Sequence, residues 1–234
     1  MSTILKNTLS EIIFRLNFED IDDIEKKIPI FYEKIKETFP FFSTSKNENT
    51  DTTKSKYWYF YNVENINESQ IIIEINKEYI TIDFECNNVK YDSYNNFKET
   101  YVDLILNSMT IFNIKEVNNL GLRCINIVNC QKGHSLEWKG IISDDLLLDN
   151  LIKKYDKPSR LLSEFSFEKN NFFINFNFGI YNREFPNLIA RKEFILDYDC
   201  ICVDDLIIPD ISQTIDKMYK TIKELFKEHI GENI

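Results

Sequence analysis

Glycine and proline are both scarce in this chain, with five of each in 234 residues. So few glycines leave no phosphate-cradling loop of the Walker or dinucleotide type. No Gly-, Pro- or Ser-rich linker divides the chain near its middle. Histidine is scarcer, with only His134 and His229. Neither stands beside a cysteine pair with ligand spacing, so the pattern offers no zinc site. The five cysteines, at 86, 124, 130, 200 and 202, form no C-x-x-C pair. With no secretory signal at the N-terminus, they read as reduced thiols of a cytoplasmic protein. No apolar run reaches the ~18 residues that a membrane-spanning helix needs.

Positive charge is also in deficit. The formal net charge is −10, and residues 1–117 carry 13 basic against 20 acidic side chains, the remainder 15 against 18. Neither part has the basic excess with which proteins grip phosphate backbones, which argues against direct nucleic-acid binding. An acidic surface suits solubility or a basic protein partner.

Apolar and aromatic residues are plentiful, at 43% and 14%, with 19 Phe and 12 Tyr. That is the composition of a chain able to bury a large core. "EIIFRLNF" (11–18) alternates like a half-buried strand. The period then changes: Ile21, Ile24, Ile28, Phe31, Ile35 and Phe39 trace one helical stripe. Asp20, Asp22 and Asp23 are expected in its first turn, with a kink or restart at Pro29. Residues 43–56 contain no apolar side chain and read as a flexible loop. Strands follow at 57–63, 70–76 and 79–86, the last two close enough for a hairpin, and then a helix over 92–112.

The same order recurs in the second half. A strand at 122–128 precedes a helical stretch at about 143–155, strands at 161–168, 171–179 and 192–203, and a long helix from Pro209 to near Gly231. The pattern predicts an α+β fold of two fused β-α-β-β-β-α halves, about 7–115 and 116–231. These form a single domain, mainly antiparallel, with helices on one face of the sheet.

"LGLRCINIV" (120–128) resembles the "LRYIN" strand of a sporadically distributed bacterial and archaeal family that has no agreed biochemical function. "NTLSEIIFRLNF" (7–18) resembles that family's opening P-I-x-E-A-x-x-x-I strand, with Glu11 in the acidic position. "YDSYNNFKETY" (91–101) resembles its Y-x-x-W-x-x-F helix, with Tyr94 where tryptophan is usual. "FFINFNFG" (172–179), "FILDYD" (194–199) and the C-terminal helix fit in the same order. Cys124 departs from the usual tyrosine and bears on local packing. A patchy distribution is typical of mobile defence or toxin–antitoxin loci, so the resemblance implies such a setting by association.

Arg123 interrupts an apolar strand and shares a face with Ile125 and Ile127, while Asn126 points the other way. A guanidinium there needs an acid, and the candidates are Glu11, Asp197 and Asp199. We expect Arg123 to be mostly buried and paired with Glu11, since both belong to the first strands of their halves. The alternative is a pocket in which Arg123, with Asp197 and Asp199, receives an anion such as a nucleotide phosphate. The aspartates of "DYDCICVDD" (197–205) lack a third ligand fixed by spacing, so no metal is expected. His134 lies near Cys130 and Ser135 in sequence, but triad partners come from distant segments. The aromatic strands "YWYFYNV" and "NFFINFNF" contain no basic residue and read as core rather than as a base-stacking platform. With no catalytic constellation and no cofactor motif, two functions stay open. One is a non-enzymatic binding or regulatory component that works through a protein partner or as a homo-oligomer. The other is a small-molecule or nucleotide sensor with its pocket between the halves.

Overall fold

The structure is a computed structural model, and it describes residues 8–46, 56–86, 93–129, 138, 140–147, 160–182, 185–186 and 193–231. The fold is α+β with mostly antiparallel sheet. Two compact units form, each drawing on separated stretches of chain.

The first unit comprises residues 11–122 and 201–216. It holds β1 (Leu9–Asn17, from Glu11 on), α1 (Ile24–Ile35), β2 (Phe41–Lys46), β3 (Lys56–Tyr61), β4 (Ile71–Ile75) and β5 (Tyr79–Glu85). A helical run follows as α2 (Tyr94–Phe97), a π turn (Lys98–Val102) and α3 (Asp103–Phe112). The short strands β6 (Glu116–Val117) and β11 (Leu206–Ile207) pair with each other. The sheet order is β2-β3-β4-β5-β1, followed by the first residues of β7 (Asn119–Asn129). Ser93 caps α2 by accepting from the Asn96 amide, and Asn113 ends α3 in the left-handed conformation.

Strand alternation gives this sheet two unlike faces. Ile12, Phe14 and Leu16 of β1, with Phe60, Ile73, Ile82 and Phe84, are buried on one of them. Phe31 of α1 lies edge-on to Phe60 and against Phe112 of α3, and Phe97 meets Phe84. Each such side chain contributes about 2–3 kcal/mol when fully buried. This face is where the helices sit.

Three expectations differ here. Residues 43–46, read as the start of a loop, belong to β2, with Ser43 opposite Tyr59 and Thr44 opposite Trp58. A ladder of backbone hydrogen bonds needs no apolar side chain at a sheet edge; residues 47–55 lie outside the described set. Asp20, Asp22 and Asp23 precede α1 rather than fill its first turn, which has Glu25 as its acid. Pro29 sits within α1, which runs on through it as one helix.

The second unit comprises residues 123–200 and 217–234, with the start of the chain. Its sheet order is β7-β10-β9-β8, with β8 (Leu161–Lys169), β9 (Phe172–Tyr181) and β10 (Glu193–Cys202). Asn170 and Asn171, both at positive φ (55° and 65°), make the two-residue turn between β8 and β9. The long helix α4 (Ile208–His229) enters this unit at Lys217, and Met218, Ile222, Leu225 and Phe226 form its buried stripe. Of the helix expected at about 143–155, residues 144–146 form a single 3-10 turn, and residues 148–155 lie outside the described set.

Candidate functional site

β7 places Arg123 on the face away from the α4 stripe, and β10 places Asp197 beside it. The guanidinium grips the carboxylate with two bonds: Nε donates to Oδ1 at 2.8 Å and Nη2 to Oδ2 at 2.7 Å. Asn177 of β9 adds a longer donation from Nδ2 to Oδ2 at 3.4 Å. The arrangement corrects one part of the sequence reading. Asp197 is the buried member, with its side chain 4% exposed, while that of Arg123 is 39% exposed. A long stem lets the guanidinium reach water while its fork stays on the acid, and a two-carbon side chain has no such freedom. Asp197, one of the three candidate acids, is thus a partner of Arg123. Glu11, which the strand pattern favoured, stands opposite Glu85 of β5.

Asp199 is half-buried two residues along the same face of β10 as Asp197. Asp204 and Asp205 are exposed between β10 and β11. Among the described residues, no three His, Cys, Asp or Glu side chains gather as a metal-holding group. Asn126 is buried on the opposite face and donates to the Leu196 carbonyl at 3.4 Å, so it belongs to the core. His134, Cys130 and Ser135 lie outside the described residues. Cys86, Cys124, Cys200 and Cys202 are all buried. Burial, reinforced by the charge of Glu11, pushes the Cys86 thiol up to about 12, so it is not a nucleophile at neutral pH.

His229 ends α4 against β9 and β10. Its ring stacks on Phe176 at 4.7 Å between centroids, and Tyr198 Oη lies 2.9 Å from its Nδ1. Burial lowers the histidine below its ordinary value, and burial, reinforced by Glu228, raises the tyrosine. The hydroxyl and the neutral imidazole share this hydrogen bond. Tyr198 is fully buried and His229 half-buried beside it.

A second group of polar side chains, which the sequence reading missed, lines the open face of the first unit. Tyr59 of β3, Glu74 of β4 and Thr81 of β5 lie side by side in register. With Ile72, Asp83, Glu85, Ile66, Asn67 and Ser69 they surround a cleft of about 430 Å³ that opens to solvent. Asn65 and the 3-10 turn Ile66–Glu68 form its lip: the Asn65 side chain accepts from the Asn67 amide. Tyr79 donates a hydrogen bond to Glu74, while Arg15 stacks over the Tyr79 ring at 4.3 Å from its centroid. Burial first, then the bond to Glu74, holds the Tyr79 hydroxyl above its ordinary range, so it remains a donor. Glu11 and Glu85 continue the acidic row as direct cross-strand partners, an arrangement that disfavours folding on its own.

The signal for this cleft was present in the alternation. In "IIIEI" and "YITIDFE" every second residue is apolar and buried, which leaves Glu74, Thr81, Asp83 and Glu85 on the other face. The arrangement suits a cation that reaches several carboxylates at once and lays an apolar stem on Tyr59 and Ile72. No protein-family model matches the chain, and no curated protein matches it.

Proposed function

We propose that this protein is a binding component that acts through a protein partner, and that the cleft of the first unit receives a basic segment of that partner. The observation that carries this reading is the convergence of Glu74, Asp83 and Glu85 on one open cleft, in a chain of net charge −10. Electrostatic attraction of this kind steers association and discriminates against acidic partners. The carboxylates line a groove rather than enclose a point, which favours the long side chains of lysine or arginine over a bare metal ion. A regulatory component of a defence or toxin–antitoxin locus is the setting in which such a partner would be encoded nearby.

The Arg123–Asp197 pair supports the same reading from the other side. A sensor built on Arg123 needs a guanidinium ready to receive an anion, whereas two of its donors are held by a buried aspartate. The test is affinity capture from the native host, comparing the wild-type chain with Glu74→Gln/Asp83→Asn/Glu85→Gln. The expected result is a partner with a Lys/Arg-rich segment, retained by the wild type and lost both from the triple variant and in high salt. Equal retention by the two forms would overturn it. So would a bound nucleotide whose retention depends on Arg123.

A further inference from the structure

The acids of the cleft are set out at regular intervals. Glu74 of β4 stands opposite Thr81 of β5, and Ile72 opposite Asp83. Glu74, Asp83 and Glu85 therefore fall in three successive rows of the open face, one acid to a row. Same-face residues of a strand recur every ~6.7 Å, so the line of acids spans about 13 Å. Tyr59, opposite Glu74, and Ile72 set apolar surface beside that line. Tyr79 donates to one oxygen of Glu74 and fixes that side chain by it. Arg15, opposite Thr81 in β1, lies over the Tyr79 ring and donates to Asn17 at 2.7 Å. At the lip, within the 3-10 turn Ile66–Glu68, Asn67 lines the cleft with a side-chain amide, which carries both a donor and an acceptor.

We propose, resting on the reading that this cleft receives a basic segment, that the segment binds in extended form with lysine or arginine at every second residue. An extended chain repeats its side chains on one face at the same ~6.7 Å as the sheet beneath it, so three alternate cations meet the three rows in phase. Their apolar stems lie on Tyr59 and Ile72. A run of contiguous cations turns every second one away from the cleft. A helix carries a similar spacing at every fourth residue, but two turns of it fill about 850 Å³. The cleft holds about 430 Å³. The peptide groups of a helix are also bonded to one another, whereas those of an extended chain are open to the Asn67 amide. A linear polyamine matches the charges but brings no peptide group to that amide.

The test is fluorescence anisotropy of three labelled peptides of equal charge against the full chain. They are the alternating Ac-TKTKTKT-NH2, the contiguous Ac-TTKKKTT-NH2 and an alanine-based helix former with lysine at every fourth position. The alternating peptide is expected to bind about tenfold more tightly than the contiguous one, which turns one cation out of phase. In Glu85→Gln, at the exposed end of the line, that preference is expected to shrink, with thermal melts checking that the variant stays folded. Equal binding of the three peptides would overturn the extended, alternating register and leave the basic-segment reading standing. Failure of all three to bind, or binding unchanged in Glu74→Gln/Asp83→Asn/Glu85→Gln, would overturn both. Spermine that binds more tightly than the alternating peptide at the same salt would overturn the peptide ligand in favour of a polyamine.

Discussion

Replacing Arg123 by methionine removes the cation and keeps much of the side-chain volume. It leaves Asp197, whose side chain is 4% exposed, with only the 3.4 Å donation from Asn177 among the three bonds described above. Stranding one member of a buried pair costs about 3–5 kcal/mol. The opposite substitution, Asp197→Asn, takes this charge from a guanidinium that is 39% exposed and can be solvated where it stands. Its cost is about 1–2 kcal/mol, the size of a lost hydrogen bond to a charged group. For a chain of this length 1 kcal/mol moves the melting temperature by roughly 2–4 °C, so Arg123→Met is expected to melt about 10 °C lower and Asp197→Asn a few degrees lower. The double variant Arg123→Met/Asp197→Leu, with no stranded charge, is expected to recover most of the loss. Thermal and urea melts of the four proteins measure all three differences. If Asp197→Asn costs as much as Arg123→Met, the asymmetry of burial is not what governs the pair. If neither substitution moves the transition, the pair is not structural, and an anion-binding role for Arg123 regains support.

Three further outcomes follow from the same structure. His229 is held neutral in the fold, with its value lowered from 6.5, so the unfolded chain binds the extra proton first. Stability is therefore full above about pH 6.5 and falls as the pH drops from there towards the folded value; His229→Phe, compared by urea melts between pH 5 and 8, is expected to flatten that slope. Gly179 has φ +137°, and a Cβ there would lie 2.1 Å from the Leu161 carbonyl oxygen, so Gly179→Ala is expected to cost about 3 kcal/mol or more in the same melts. Cys86, buried with its thiol pushed up to about 12, is expected to remain unlabelled by iodoacetamide at pH 8 in the native protein; mass-spectrometric mapping reads this directly, and prompt labelling would contradict the assigned burial.

Much of the architecture was legible in the chain itself. The switch from a two-residue to a 3.6-residue apolar period locates β1, α1 and the buried stripe of α4, because each element must present one apolar face to a core wherever that core lies. The same logic makes β4 and β5 neighbours, since the two residues Asn76 and Tyr79 bracket leave room only for a tight turn. β2 was not legible: its residues 43–46 carry no apolar signal, and only the backbone ladder to β3 makes them a strand. Which of the three candidate acids grips Arg123 through both nitrogens was not legible either. β7 and β10 lie 74 residues apart at this contact, and local pattern says which residues share a face but not which strands become neighbours. The cleft of Glu74, Asp83 and Glu85 stands between these cases. Alternation fixed that those side chains leave the core. Only the register of β3, β4 and β5, set by packing across the sheet, brought them around one space.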